Sequence, residues 1–190
     1  MSTFNQSADR QKGFSLVEVS MVTAIVLLLA IIGIPAIGSY VVENKVPRAG
    51  EELARFILQT KVNAPNGSAQ PFAGISTAHF AALVRDSSIF SVVGTEAAQK
   101  VFHGLGTEGE VTVQPVSAGA AFSIGMSRVH HAACPSLASI LQRVSNTISL
   151  TPAGGGATVV KDSLTPYSAL MVESRCARGD ANDFLFTISH

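Results

Sequence analysis

GFSLVEVSMVTAIVLLLAIIGIPAIGSYVV runs from Gly13 to Val42, and its reading decides the fold. From Val19 to Val42 no residue is charged. At 1.5 Å per residue, about 20 helical residues cross the ~30 Å hydrocarbon core of a bilayer. The run is longer than the roughly 7–15 apolar residues of a cleavable signal peptide. Ala36-Ile37-Gly38 nevertheless has the small-x-small pattern of a signal cleavage site, so conventional removal before Ser39 stays open. No cysteine follows the run, which excludes a lipid-modified cysteine anchor. Ahead of it, Met1 to Gly13 is polar and carries Asp9, Arg10 and Lys12. Positive charge before an apolar run is retained in the cytoplasm, which puts the following domain on the far side of the membrane. Glu18 is the odd residue. A carboxylate at the centre of a membrane helix costs about 2.5–3.5 kcal/mol on insertion scales. Near the helix start it reaches the interface and suits the positive end of the helix dipole.

The helical pattern continues past the apolar run. Val42, Val46, Ala49, Leu53, Phe56 and Thr60 recur at alternating four- and three-residue steps, an amphipathic stripe. Charged residues from Glu43 to Arg55 occupy the other faces. The pattern predicts one helix over residues 14–62, with residues 14–42 in lipid and the remainder seated on a domain. Gly33, Pro35 and Gly38 weaken its middle, because proline removes a backbone bond and glycine lowers helix propensity. Pro47 predicts a second kink. Ala64-Pro65-Asn66-Gly67-Ser68 stops the helix.

Residues 63–190 form one small domain. Ser76 or Thr77 caps a short helix over Ala78–Arg85, and a second short helix is predicted over Glu96–Phe102. Glu110–Pro115 and Ala120–Val129 have strand character between glycines. Pro135–Val144 reads as a helix with proline in its first turn. Thr147–Thr151 and Ala157–Val160 read as strands joined across Pro152-Ala153-Gly154-Gly155-Gly156. Ala169–Glu173 and Asp183–Ile188 complete the predicted sheet. The fold class is α+β, a long N-terminal helix packed on an antiparallel sheet.

Composition narrows the function. The 190 residues carry 13 Lys plus Arg against 13 Asp plus Glu, and no Trp. A balanced charge without aromatic platforms gives no support for a nucleic-acid surface. The two cysteines, Cys134 and Cys176, favour one disulfide in an exported domain; the alternative is two reduced, buried thiols. His130-His131 near Cys134 falls short of the four ligands of a zinc site. Asp180 and Asp183 are too few for a calcium loop. Gly104-Leu-Gly-Thr-Glu-Gly109 lacks the strand and helix of a nucleotide fingerprint, and Gly154-Gly155-Gly156 lacks the lysine of a P-loop. No catalytic constellation and no cofactor or metal site is expected.

Lys12-Gly13-Phe14-Ser15-Leu16-Val17-Glu18, followed by the long apolar run, resembles the processing site of type IV pilins. The resemblance implies cleavage by prepilin peptidase between Gly13 and Phe14, leaving residues 1–13 as a leader and Phe14 as the N-methylated first residue. Glu18 then becomes the fifth mature residue, where the family keeps a glutamate, and Pro35 the twenty-second, where many members carry a proline. Phe122 to Val129, then Cys134-Pro-Ser-Leu-Ala-Ser-Ile-Leu141, is similar to the type IVb group (toxin-coregulated, bundle-forming and PilS-type pilins). There a strand leads into a cysteine that opens a helix, and a second cysteine precedes the last strand. The group thereby implies a disulfide-bounded region over 134–176. A Phe14 start departs from it, since type IVb leaders are often longer and their first residue Met or Leu.

The implied role is structural, not enzymatic. The subunit waits in the inner membrane, N-terminus cytoplasmic and head periplasmic, then joins copies of itself through residues such as Phe14, Glu18 and Pro35. Its implied partners are the peptidase, the pilus assembly machinery and the bilayer, and the filament would serve adhesion, aggregation or conjugation. A type II secretion pseudopilin is the alternative within this machinery. A signal-anchored periplasmic enzyme or binding domain is the alternative outside it.

Overall fold

A computed structural model describes residues 15–95 and 98–190. Helix α1 spans Leu16–Val62 and is unbroken at Pro35 and Pro47. The chain divides between Gly38 and Ser39 into two units. The first, as far as it is described, is the apolar part of α1. The second, Ser39–His190, holds the remainder of α1 and the whole sheet.

In the second unit α1 buries the predicted stripe. Val46, Ala49, Leu53, Phe56 and Ile57 are all inside. Gly50 lies on the same side, where a Cβ would come within 2.7 Å of Ile140. Helix α3, Cys134–Leu141, carries Ile140, so only a glycine lets the two helices approach this closely. Pro135 stands in the first turn of α3, where its missing N–H costs nothing.

Among the described residues the sheet has seven strands: β1 Phe90–Val93, β2 Lys100–His103, β3 Glu110–Val116, β4 Ala121–His130, β5 Thr147–Pro152, β6 Thr158–Lys161 and β7 Asp180–Ser189. Their order is β1-β2-β3-β4-β7-β5-β6, and every pairing is antiparallel. The last strand therefore lies in the interior of the sheet, between β4 and β5. Register aligns the buried residues into rows. Val101, Val111, Met126, Phe184 and Leu150 face one another across five strands. Phe56, Phe72, Phe80, Phe90 and Phe122 make a chain of tilted and edge-on rings with centroids 5.0–6.3 Å apart. Such pairs add about 0.5–1.5 kcal/mol beyond their area, and this chain ties α1 to the sheet and to helix α2, Thr77–Leu83.

Two predicted elements are corrected. No helix covers Lys100 to Phe102; these residues belong to β2 (Glu96 and Ala97 lie outside the described residues). Alternation decides it, with Val101 and His103 buried and Lys100 exposed, and β2 finds partners on both sides. Ala169–Glu173 is not a strand but the bulk of helix α4, Ala169–Arg175. Ser168 caps it by accepting a hydrogen bond from the Met171 N–H. Val172 is its one fully buried residue and Leu170 points to solvent.

Candidate assembly helix and disulfide-bounded surface

The first unit contributes one feature, an apolar helical surface. It is long and apolar enough to cross a membrane, and none of its most apolar stretch is buried. Leu16 is 88% exposed and Ile31 76%. Its hydroxyls turn inward along the helix: Ser20 Oγ donates to Val17 O at 2.9 Å and Thr23 Oγ1 to Val19 O at 2.7 Å. That arrangement hides polar groups that lipid or a neighbouring helix would penalise. Glu18 is exposed in the first turn, where the helix N-terminus favours a negative charge. Gly13 and Phe14 lie outside the described residues. The backbone is helical through Pro35.

The second unit is closed by a disulfide between Cys134 and Cys176, with Cα atoms 6.1 Å apart. It joins the start of α3 to the C-cap of α4. Within the enclosed region Tyr167 Oη and Ser139 Oγ share a hydrogen bond of 2.7 Å, a second tie between α3 and the chain leading into α4. Lys161 Nζ donates to the Gln142 and Ser145 carbonyls, fastening β6 to the end of α3. Just past the disulfide, Asn182 is fully buried. Its Oδ1 accepts from Ala177 N–H at 2.7 Å, while Nδ2 donates to Ala177 O at 2.9 Å and Val129 O at 3.1 Å. One side chain thus pins the return from α4 to β4.

A polar rim surrounds the β4–β7 end. The β4 register shifts between Met126 and His130, and Arg128 adopts a φ of 54°. The bulge turns the Arg128 N–H onto Asp183 Oδ1 at 2.7 Å. Asp180 Oδ2 accepts from Thr107 N–H at 2.9 Å. The two aspartates therefore serve backbone N–H groups. Partial burial of Asp180 opposes ionisation, but the Thr107 hydrogen bonds and the charges of His130 and Arg128 outweigh it and hold the carboxyl below the usual value. Cys134 is spent in the disulfide, so no thiolate stands beside His130 and His131.

Comparison with known proteins now bears on this geometry. Residues 98–189 match the PilS family, described as "PilS N terminal". The fold resembles the crystal structure of a type IVb pilin from Salmonella typhi, with TM-score 0.52 and 17% identity over 77% of this chain and 99% of that one. The chain has the fold of a type IVb pilin. A crystal structure of TcpA, a type IV pilin from the Vibrio cholerae El Tor biotype, aligns with TM-score 0.44 and 14% identity over 78% of this chain and 99% of that one. No curated protein matches the sequence.

In this pilin fold the cysteines named from sequence come together, and the long helix ends at Val62 as its stripe predicts. Asn182, Lys161 and Gly50 carried no sequence signal, since a single polar residue or glycine has no periodicity. His103 was missed for the same reason. It is 3% exposed. Its Nδ1 accepts from Leu105 N–H at 3.2 Å, so the ring proton sits on Nε2, 2.8 Å from Ser127 O. Gly109 packs against this ring, and a side chain there would collide with it. The glycines of Gly104–Gly109 thus serve a histidine-locked loop.

Burial pushes the His103 pKa below its ordinary 6.5, against the opposing effects of the Ser127 carbonyl and Asp180. Burial and the neighbouring His131 likewise lower His130, against Asp180. The unfolded chain then takes up protons that the folded head refuses. The contribution of these two histidines to stability is complete above about pH 6.5 and falls as pH drops from there toward the lowered folded values. We expect a lower urea midpoint at about pH 5.5 than at about pH 7.5, with His103→Gln flattening part of that slope. An unchanged slope in the variant would remove His103 from this role.

Proposed function

We propose that this chain is a subunit of a type IV pilus of the IVb kind. It is held in the inner membrane by residues 14–42 with the head, residues 63–190, on the periplasmic side. Prepilin peptidase cuts after Gly13, Phe14 is N-methylated, and copies then polymerise through their N-terminal helices into an extracellular filament. Adhesion, aggregation and conjugation are the roles such a filament would serve. The observation that carries the reading is a single helix of two characters. Residues Leu16 to Gly38 bury none of their most apolar stretch, whereas Val46 to Ile57 fill the core of a disulfide-closed head. Apolar surface of that extent requires lipid or other copies of itself.

Glu18 has its role at the transfer between these environments. In a filament core the methylated Phe14 amine of a neighbouring copy is the cation within reach of its chemistry. An unpaired buried charge is penalised strongly and a paired one much less, so the pair sets register. Gly33 and Pro35 give the helix a place to yield during that transfer. Intact-mass measurement of the native protein tests the processing. A chain beginning at methylated Phe14 is expected; a chain beginning at Met1 or Ser39 would overturn the reading. Electron microscopy of sheared surface fractions then distinguishes a pilus subunit, seen as long filaments, from a secretion pseudopilin.

A further inference from the structure

A cleft of about 800 Å³ opens on the second unit between the end of α1, the turn after α3 and the end of β6 with the residues that follow it. Three cations from these three places line it: Lys61, Arg143 and Lys161. Lys161 is held in place by the Gln142 and Ser145 carbonyls. Lys61 and Arg143 make no ion pair among the described residues. One carboxylate shares the cleft, Asp162, and its Oδ1 is turned onto the Leu164 and Thr165 N–H groups at 2.9 and 2.6 Å. Ser145 also lines the cleft. It is 4% exposed, and its Oγ, closed off from solvent, has no hydrogen-bond partner among the described residues.

We propose that this cleft binds an acidic oligosaccharide. The Arg143 guanidinium matches a planar carboxylate with two parallel hydrogen bonds, and Lys61 supplies a second charge. Asn146 Oδ1 already accepts from Ser189 N–H at 2.9 Å, which leaves its Nδ2, with the Thr147 and Ser163 hydroxyls, for the sugar hydroxyls. The cleft lies within the roughly 300–1,000 Å³ range of small-ligand sites. Among the described residues no aromatic side chain lines it, which removes the stacking platform that nucleic-acid bases require. The site belongs to the second unit and goes beyond the assembly role. Its test reads binding directly and does not depend on filament formation.

The full-length chain in detergent is titrated by calorimetry with tetragalacturonate, with neutral maltotetraose and with a short single-stranded DNA. Saturable binding of tetragalacturonate that weakens with salt is expected, with maltotetraose silent. The Lys61→Gln/Arg143→Gln variant should lose about tenfold or more in affinity, the loss of charge-assisted hydrogen bonds, at an unchanged melting temperature. Should that variant fail to fold, Arg143→Lys alone keeps the charge and loses the fork, and a several-fold weakening is expected. Absence of saturable uronate binding, equal binding by the variants, or tighter binding of the DNA than of the uronate would each overturn the proposal.

Discussion

Replacing Glu18 with alanine is expected to abolish filament assembly and to leave the subunit in the membrane. The expectation follows from where the charge sits. Glu18 is in the first turn of an apolar helix with no charge from Val19 to Val42. In the bilayer, loss of this carboxylate removes a desolvation cost, so insertion is retained or improved. In the proposed filament core, the same loss leaves the neighbour's methylated amine buried without a partner. Removing one member of a buried pair costs about 3–5 kcal/mol, and the cost recurs at every subunit. We expect sheared surface fractions to contain less than about a hundredth of the wild-type filament, as 3 kcal/mol implies for one contact alone. Immunoblots of the membrane fraction should show normal subunit levels. Glu18→Gln keeps the shape and removes the charge, and its assembly should fail in the same way. Filaments at wild-type yield from either variant would leave Glu18 a tolerated interfacial residue.

Loss of the disulfide is the second large effect. Cys134 and Cys176 are 42 residues apart in sequence. In the chain-entropy model a closed loop of that size contributes about 4 kcal/mol. At about 2–4 °C per kcal/mol for a domain of this size, Cys134→Ser with Cys176→Ser should melt about 8–16 °C lower. Circular dichroism of the full-length chain in detergent, with and without reductant, measures it. Reductant should bring the wild type to the variant's value and leave the variant unmoved. The region does not dissolve altogether, because Asn182, Lys161 and the Tyr167–Ser139 hydrogen bond still hold its two ends. Helix α4 is the weak point. It buries only Val172 completely, and the disulfide holds its last turn. An unchanged melting temperature would mean that the polar ties alone set the stability of the head.

The elements legible in the sequence were those with a strong period. The stripe from Val42 to Thr60 predicted the helix and its buried face, and Ile57 joined that face by the same period. The strand at Ala121–His130 and the helix opened by Cys134-Pro135 were legible because a strand pattern, a turn and a proline follow one another there. Short elements were not. Lys100–His103 has four residues and Ala169–Arg175 seven, no more than one or two turns of helix by length. Over so few residues, alternation and helical spacing predict nearly the same apolar positions. Tertiary partners decided the first, β1 and β3; the local Ser168 cap and the Cys134 bond decided the second.

By itself the sequence determined that a helix uncharged from Val19 to Val42 joins a small α+β head, that Glu18 stands at its apolar end, and that two cysteines are available to close the head. These are matters of composition and local period, carried by neighbours along the chain. Only the tertiary structure decided that β7 lies inside the sheet, that Asn182 and His103 are buried with their hydrogen bonds satisfied, and that Lys61, Arg143 and Lys161 meet in one cleft. Those residues come from distant parts of the chain. Their environment is created by sheet order and packing, which leave no periodic mark on the sequence around any one of them.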